Sequence, residues 1–203
     1  TSATFKSSRI INGHSVEQMK KAHLDFRVSH RFGTVNSGIK EFFGLDQSTI
    51  HLSFEYGLTD RIMLGIGRSS YLKTYDGFVK LKILRQSSGS KNMPFTLSYL
   101  GSSEIFTADF PEPERDNHFS SRITYVNQIL LARKFNDRFS LQLSPTHIHK
   151  NLVPTVLDMN DLFAAGIGGR LKFTKRIAFM FEYYYNIRFE RNTVEYFDPV
   201  SIG

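Results

Sequence analysis

The chain contains neither cysteine nor tryptophan in its 203 residues. Without cysteine it can form no disulfide framework and no thiolate metal site. It also lacks any apolar run of about 18 residues, the length that a transmembrane helix needs, and its mean hydropathy is −0.27. These absences exclude a helical membrane protein. No basic and apolar leader precedes Thr1-Ser2-Ala3, so we expect an exported form of this sequence to be mature.

The charge balance is basic, with a formal net charge of +7. The lysines and arginines are spread along the chain rather than gathered into one block, and no RNP-like, zinc-finger or helix-turn-helix pattern accompanies them. We therefore expect no nucleic-acid partner. Contact with acidic lipid, or a lumen lined with arginine and lysine, would explain the same basic charge balance.

What the chain does contain is alternation. Ile50, Leu52 and Phe54 fall on one side of a strand, whereas His51 and Glu55 fall on the other, which is the period of two of a β-strand with one apolar face. This repeated pattern predicts an all-β, antiparallel, up-and-down transmembrane β-barrel. Nine strands are predicted, over residues 22–32, 48–58, 61–69, 75–86, 95–105, 121–135, 138–147, 161–173 and 176–190.

The connectors between these strands mostly alternate in length. With the residues after the last strand counted as the ninth, the odd-numbered connectors are mostly the longer ones, although the third (residues 70–74) is shorter than the fourth (residues 87–94). In a meander the odd-numbered connectors all lie at one rim. Barrels of the bacterial outer membrane have short periplasmic turns and longer external loops. The pattern therefore predicts an outer-membrane location with the N-terminus on the periplasmic side.

Residues 1–21 form a separate N-terminal segment, before a barrel domain over residues 22–203. Asn12-Gly13 indicates a turn, and Ser15 with Gln18 is typical of a capping box, which predicts a short helix over residues 15–21. Such a helix could plug the lumen or dock a periplasmic partner, but we favour a simple N-terminal cap.

The apolar face must point either inward or outward. More than eight strands with an apolar interior would enclose an unfilled cavity, so we place the apolar face outward and the charged face inward. The predicted lumen-lining residues are Asp25, Arg27, Arg31, His51, Glu55, Lys80, Lys82, Arg122, Arg170, Lys172, Glu182 and Arg188. The predicted lipid-facing residues are Ile50, Leu52, Phe54, Leu64, Leu81, Phe179 and Phe181.

The inward charges leave two predictions open for the lumen, a closed one and an open one. Either they pair across the barrel and close it, or they line a narrow pore that favours anions. On the same reasoning Leu52→Arg or Phe181→Arg should cost about 2–4 kcal/mol near the membrane midplane, and Glu55→Gln should be much milder.

Residues that could carry chemistry are few. His147 and His149 alternate onto one face and could bind a metal, with Asp158 or Asp161 as partners only if the loop folds back. Ser48 and His30 share the outer face of neighbouring strands, which raises a membrane-embedded hydrolase as an alternative. No nucleophile elbow occurs. We predict no enzymatic activity, no catalytic residues, no metal and no cofactor.

Residues 9–17, 24–33 and 56–68 resemble an uncharacterised outer-membrane β-barrel family of Gram-negative bacteria of the Bacteroidetes type, known only as a domain of unknown function. The resemblance covers most of the chain and implies an exported membrane barrel without established activity. Members of that family continue beyond a motif similar to residues 198–203. Since single-chain bacterial barrels have even strand counts, we expect missing final strands and about 10–12 strands in the intact protein.

The resulting hypothesis is an outer-membrane, porin-like barrel that acts as a narrow channel or as a structural subunit of an envelope complex. Outer-membrane lipid is its expected partner, and other envelope proteins are further candidates. Besides the hydrolase, the alternative is a soluble periplasmic barrel that binds an apolar ligand inside.

Overall fold

The computed structural model describes residues 3–33, 37–89, 92–110, 114, 116–153, 155, 158–188 and 198–203. The predicted all-β, antiparallel architecture is confirmed, because the described residues form one ten-stranded sheet. The strands are β1 (Leu24–Phe32), β2 (Ser48–Gly57), β3 (Ile62–Ser69), β4 (Tyr75–Leu84), β5 (Thr96–Ile105), β6 (Ile123–Lys134), β7 (Phe139–Lys150), β8 (Asp161–Lys172), β9 (Ala178–Ile187) and β10 (Val200–Ile202).

The strands follow one another around the sheet in chain order, and each pairs antiparallel with the next. β10, which is only three residues long, was not predicted. Residues 189–190 of the predicted ninth strand lie outside the described residues. In the described part of the chain no pairing joins β10 to β1, so the sheet is curled but not closed.

Short 3₁₀ helices occupy three connectors at one rim of the sheet, at Ile39–Gly44, Tyr71–Lys73 and Phe119–Arg122. The rim that carries these connectors is called the loop side below, and the opposite rim the turn side. No helix among the described residues has the length and apolar character needed to cross a membrane.

Side chains alternate between the two faces of the sheet, as the sequence pattern requires. On β1 the outward Leu24, Phe26 and Val28 are more than half exposed. On β2 the inward Ser53 and Glu55 are buried. The apolar face is therefore the outer face of the curled sheet, and the polar face is the inner one.

The predicted helix over residues 15–21 is wrong. The described N-terminal segment, residues 3–21, contains a tight hairpin instead, in which the Ile10 amide donates to the Gly13 carbonyl at 2.9 Å. The Ser15 hydroxyl donates to the Ser7 carbonyl at 2.5 Å and accepts from the Glu17 amide at 3.1 Å, but no helical turn follows it. This segment lies within the curled sheet, where it contacts strands from β1 to β10.

The N-terminal segment leaves the interior on the turn side, past the end of β2. There the Ala22 amide donates to the Gly57 carbonyl at 2.7 Å, and the Gly57 amide donates to the His23 carbonyl at 3.0 Å. A Cβ on Gly57 would overlap the backbone carbonyl of Lys20. The exit path therefore requires glycine at this position, because a backbone atom cannot move aside as a flexible side chain can.

Replacement of Gly57 by alanine should displace the N-terminal segment. We expect Gly57→Ala to lower the free energy of unfolding by about 1–3 kcal/mol, the usual cost of overpacking, and to speed protease cleavage within residues 3–21. Denaturant unfolding and limited proteolysis measure the two effects. Gly77→Ala is the matched control, since its Cβ would meet no atom closer than 3.8 Å. Equal stability of the two variants would contradict this account.

Candidate functional site

Lys80 of β4 is the inward side chain that holds the N-terminal segment most extensively. Its Nζ donates to the carbonyl oxygens of Ser8, Ser15 and Glu17 at 3.2, 3.0 and 2.9 Å. The residue is 0 % exposed. A buried ammonium is tolerated only when its donors are satisfied, and here backbone carbonyls of the segment satisfy all three. Lys80 therefore fixes both arms of the hairpin to the barrel wall.

Glu55 of β2 anchors the first arm through charge. Its carboxylate accepts the Ser8 hydroxyl at 2.5 Å and Arg9 Nε and Nη2 at 3.4 Å each, and Arg27 Nη2 lies 3.8 Å from it. The Glu55 side chain is fully buried. Loss of one member of a buried ion pair is costly, so the mild effect that the sequence suggested for Glu55→Gln does not fit this burial.

Two side chains on the far wall hold the hairpin tip and its second arm. The Asn12 and Gly13 amides each donate to the Glu182 carboxylate at 2.9 Å. The Val16 amide donates to Gln142 Oε1 at 2.9 Å, while Gln142 Nε2 donates to the His14 carbonyl at 2.8 Å. Since β2 and β7 stand five strands apart in the ten-stranded sheet, the segment spans the interior.

The N-terminal segment also carries apolar side chains into the interior. One cluster joins its Phe5, Ile10 and Val16 to the inward Leu130 and Ala132 of β6. A second cluster, of Met63, Phe78 and Leu100, packs against Met19. Burial of each large apolar side chain contributes about 1.5–3 kcal/mol, so packing as well as hydrogen bonding holds the segment in place.

A cavity of about 630 Å³ remains inside the sheet. Arg9 and His14 of the N-terminal segment line it, as do residues of the β3–β4 connector such as Tyr71 and Thr74. It therefore lies between the segment and the loop side, and we call it the loop-side cavity. Its wall mixes charges of both signs with hydroxyl groups.

His14 is the one histidine of the N-terminal segment and is buried beneath this cavity. Its ring packs edge-on against Phe78, with ring centroids 4.5 Å apart. Burial, followed by the positive charges of Lys80, Arg9 and Arg27, holds the pKa of His14 well below its ordinary value of 6.5. His14 is therefore neutral in the folded protein at neutral pH.

Most of the predicted lumen-lining residues lie on the inner face. Asp25, Arg27, Arg31, His51, Glu55, Lys80, Lys82, Arg170, Lys172 and Glu182 occupy inward positions of their strands. The structure brings Asp25, Arg27 and Glu55 together, since Arg27 Nη2 lies 3.1 Å from Asp25 Oδ2 as well as near Glu55. Arg170 and Lys172 lie near the turn side, away from this group.

Arg122 and Arg188 are wrongly predicted as lumen-lining. Arg122 ends a 3₁₀ helix before β6, donates to the Phe106 and Ala108 carbonyls at 3.2 and 2.6 Å, and lies over the Phe110 ring. Arg188 follows the end of β9 and pairs with Asp198 at 3.0 Å with 60 % of its side chain exposed. Both have the inward parity, but each lies just outside its strand, Arg122 directly before β6 and Arg188 directly after β9.

The predicted lipid-facing residues lie on the outer face. Ile50, Leu52, Phe54, Leu64, Leu81 and Phe179 are exposed there. Phe181 is half-buried on the same face, because its ring covers the position where a Cβ of Gly169 would lie.

His147, His149 and Asp161 meet on the outer face near the loop side. His147 Nε2 and His149 Nδ1 both lie 2.8 Å from the same oxygen, Asp161 Oδ1. Asp161 begins β8 beside β7, so no loop has to fold back. Within the described ranges no trio of histidine, cysteine or acidic side chains is arranged to hold a metal ion.

Ser48 and His30 also lie on the outer face. In the register of β1 with β2, His30 faces Ile50 and Phe32 faces Ser48. The His30 ring packs against Phe32 with centroids 4.6 Å apart. Among the residues that the structure describes, no hydrogen bond joins His30 to Ser48, so the pair lacks the contact that a nucleophile and its base require.

Sequence reasoning missed the residues of the N-terminal segment that fill the lumen, above all Ser8, Arg9, Gly13 and Val16. Gln142 has the inward parity on β7 that the alternation predicts. A usable signal is present in β6, where Leu130 and Ala132 are apolar at inward positions and so require an apolar partner inside the sheet.

Comparison with known families matches the chain over residues 5–203 to a family described as "Membrane bound beta barrel domain (DUF5777)". The chain belongs to this family. No curated protein matches the chain. No solved structure matches it either.

Membership makes the protein a membrane-bound β-barrel domain whose function is not known, as the resemblance implied. The Bacteroidetes-type origin stays a prediction. A membrane location gives the exposed apolar face a physical reason, because hydrocarbon rather than water is then its solvent. The match includes nearly all of the N-terminal segment, so the segment is part of the domain.

A charge on the outer face should cost stability according to its depth. We expect Leu52→Arg, in the middle of β2, to lower the free energy of unfolding in lipid by about 2–4 kcal/mol. Leu58→Arg, at the turn that follows β2, should cost about 0–1 kcal/mol because the charge reaches the interface. Refolding into vesicles under denaturant measures both, and an equal cost would argue against an outward hydrocarbon contact.

The neutral state of His14 predicts a pH dependence. Its pKa is lower in the folded than in the unfolded chain, so the unfolded chain binds the additional proton as pH falls, and stability is lost. We expect the N-terminal segment to become more sensitive to protease from about pH 7 to pH 5. His14→Asn should flatten the profile in this window; a profile unchanged by this substitution would assign the effect to another group.

Proposed function

We propose that this domain is a barrel of the bacterial outer membrane that its own N-terminal segment holds closed, and that it serves as a structural unit of the cell envelope rather than as an open channel. The observation that carries the proposal is Lys80, whose buried ammonium binds three carbonyls of the segment. A side chain placed in this way stabilises the blocked lumen.

The distribution of the anchors supports closure. The N-terminal segment is tied to β2 through Glu55, to β4 through Lys80, to β7 through Gln142 and to β9 through Glu182. Of the two lumens that the sequence predicted, the closed one is therefore favoured, although backbone as well as side chains fills it.

The proposed orientation puts the loop side outside the cell and the turn side in the periplasm, as is usual for outer-membrane barrels. The short turns support it, since Leu58 and Phe135 at two of them form tight hairpin hydrogen bonds with Ile62 and Phe139. The N-terminal segment then enters and leaves from the periplasm, where an envelope protein could reach it.

The unpaired edges of β1 and β10 bear on the same proposal. An exposed strand edge leaves amide and carbonyl groups unsatisfied, which hydrocarbon does not tolerate. We propose that both edges are paired or covered in the membrane. Outer-membrane lipid is the proposed partner of the outer face, and envelope proteins are the proposed partners at the rims.

Neither rival function has comparable support. A soluble barrel with an apolar ligand needs its apolar face inside, whereas the exposed Leu24, Phe26 and Ile66 lie outside. A hydrolase needs contact between Ser48 and His30, which the described residues do not make. The proposal therefore includes no enzymatic activity and no nucleic-acid partner.

Planar-bilayer recording tests closure directly. We expect the wild-type protein to show almost no conductance, and Lys80→Met to produce frequent openings, because three buried carbonyls lose their donor at about 1–3 kcal/mol each. Lys82→Met is the matched control: Lys82 lies on the same strand and face, but among the described residues its side-chain ammonium group makes no hydrogen bond.

Glu55→Gln provides a second variant should Lys80→Met fail to fold, since it leaves Arg9 and Arg27 without their shared carboxylate. It should also open the lumen. A steady large conductance of the wild-type protein would overturn the closed barrel. So would variants that insert correctly and remain as silent as the wild type.

A further inference from the structure

One row of the sheet crosses the wall of the loop-side cavity with opposite charges at its two ends. The strand register aligns Arg27 with Ser53, and then in turn with Gly67, Asp76 and Glu104. A cation therefore stands at the β1 end and two carboxylates at the β4 and β5 end. A ligand with charges of both signs is complementary to such a wall.

The two carboxylates are not equivalent. Asp76 Oδ1 lies 2.7 Å from His51 Nε2 and is thus already paired. Gly67 makes room for that pair, since a Cβ there would lie 2.5 Å from His51 Nε2. The carboxylate of Glu104 makes no hydrogen bond or ion pair within the part of the chain that the structure describes, yet it lines the cavity. It is the carboxylate available to a ligand.

Arg31 is the corresponding cation. It occupies an inward position of β1, closer to the loop side than Arg27, and it also lines the cavity. Among the described residues its guanidinium group has no hydrogen-bond or ion-pair partner. The charges that act on Glu104 are those of Asp76, His51, Arg31 and Lys150, so Arg31 and Glu104 interact across the same space.

The cavity wall and floor hold two further polar groups without partners. Ser53 and His14 line the cavity and are each more than nine-tenths buried. Within the part of the chain that the structure describes, neither Ser53 Oγ nor His14 Nδ1 has a hydrogen-bond partner. Buried polar groups without a hydrogen-bond partner are uncommon in native proteins, and such groups in a cavity wall indicate a binding partner that is not part of the chain. These two lie beside Arg27, Phe78 and Asp76, in the middle of the charged row.

From this arrangement we infer that the loop-side cavity binds a small zwitterion of the α-amino acid or short-peptide class. Its ammonium group pairs with Glu104, and its carboxylate pairs with Arg31, with Arg27 behind it. The volume of about 630 Å³ falls in the usual range for small-ligand sites. The inference rests on the N-terminal segment as the floor of the cavity, which the proposed function shares, but not on the absence of conductance.

Calorimetry with L-alanyl-L-alanine and the intact protein in detergent tests the assignment. We expect saturable binding of one ligand per chain, weakened about tenfold or more by Glu104→Gln and by Arg31→Gln. N-acetyl-alanyl-alanine lacks the ammonium group and should bind about tenfold more weakly to the wild type. Because Glu104 has no group left to pair with in that complex, Glu104→Gln should not weaken it further.

Arg68→Gln is the matched control, since Arg68 lies on the outer face of β3 over Tyr75 and should not affect binding. Lack of saturable binding at about 10 mM dipeptide would overturn the inference. Equal affinity for the acetylated dipeptide would also overturn it, by reducing the site to an anion site. A silent bilayer recording with no dipeptide binding would defeat this inference alone, whereas dipeptide binding by a conducting barrel would defeat only the closed lumen.

Discussion

The structure depends on the burial of charge inside a sheet whose outer face is apolar. Lys80 and Glu55 are withdrawn from solvent on the inner wall, and a charge so placed must find partners or be expelled. The wall alone does not supply all of them. For Lys80 the partners are carbonyl oxygens of the N-terminal segment, and for Glu55 they are Ser8 and Arg9 of that segment together with Arg27. The segment and the inner wall are therefore each incomplete without the other.

The width of the sheet leads to the same requirement. Side chains alone fill a barrel of about eight strands, whereas ten strands are present here. A hairpin of the chain itself fills the difference on the turn side, and a cavity remains on the loop side. The hairpin therefore meets both requirements of the interior. Its backbone groups pair with the buried charges, and its apolar side chains fill the space between them.

Alternation along the chain was sufficient to predict nine of the ten strands and their order, and the number of strands then gave the direction of each face. It was not sufficient for the ends of strands, as Arg122 and Arg188 show, because parity continues in the sequence after the sheet has stopped. It also could not identify the anchors. The Gln142 amide bonds are made to residues 126 and 128 positions away, and they are made to backbone groups, which every residue type presents alike.

The sequence nevertheless contains one signal of the filled lumen, the apolar run Ile129-Leu130-Leu131-Ala132. A strand with one wet face should not be apolar at four consecutive positions, whereas a strand covered on both faces reads in this way. Hydrocarbon covers one face of β6, so something apolar must cover the other. The N-terminal segment lies outside the predicted strands and carries the apolar residues Phe5, Ile10 and Val16. These are the side chains that pack against Leu130 and Ala132. Apolar residues at inward positions of a membrane sheet therefore indicate where its own chain returns to fill it.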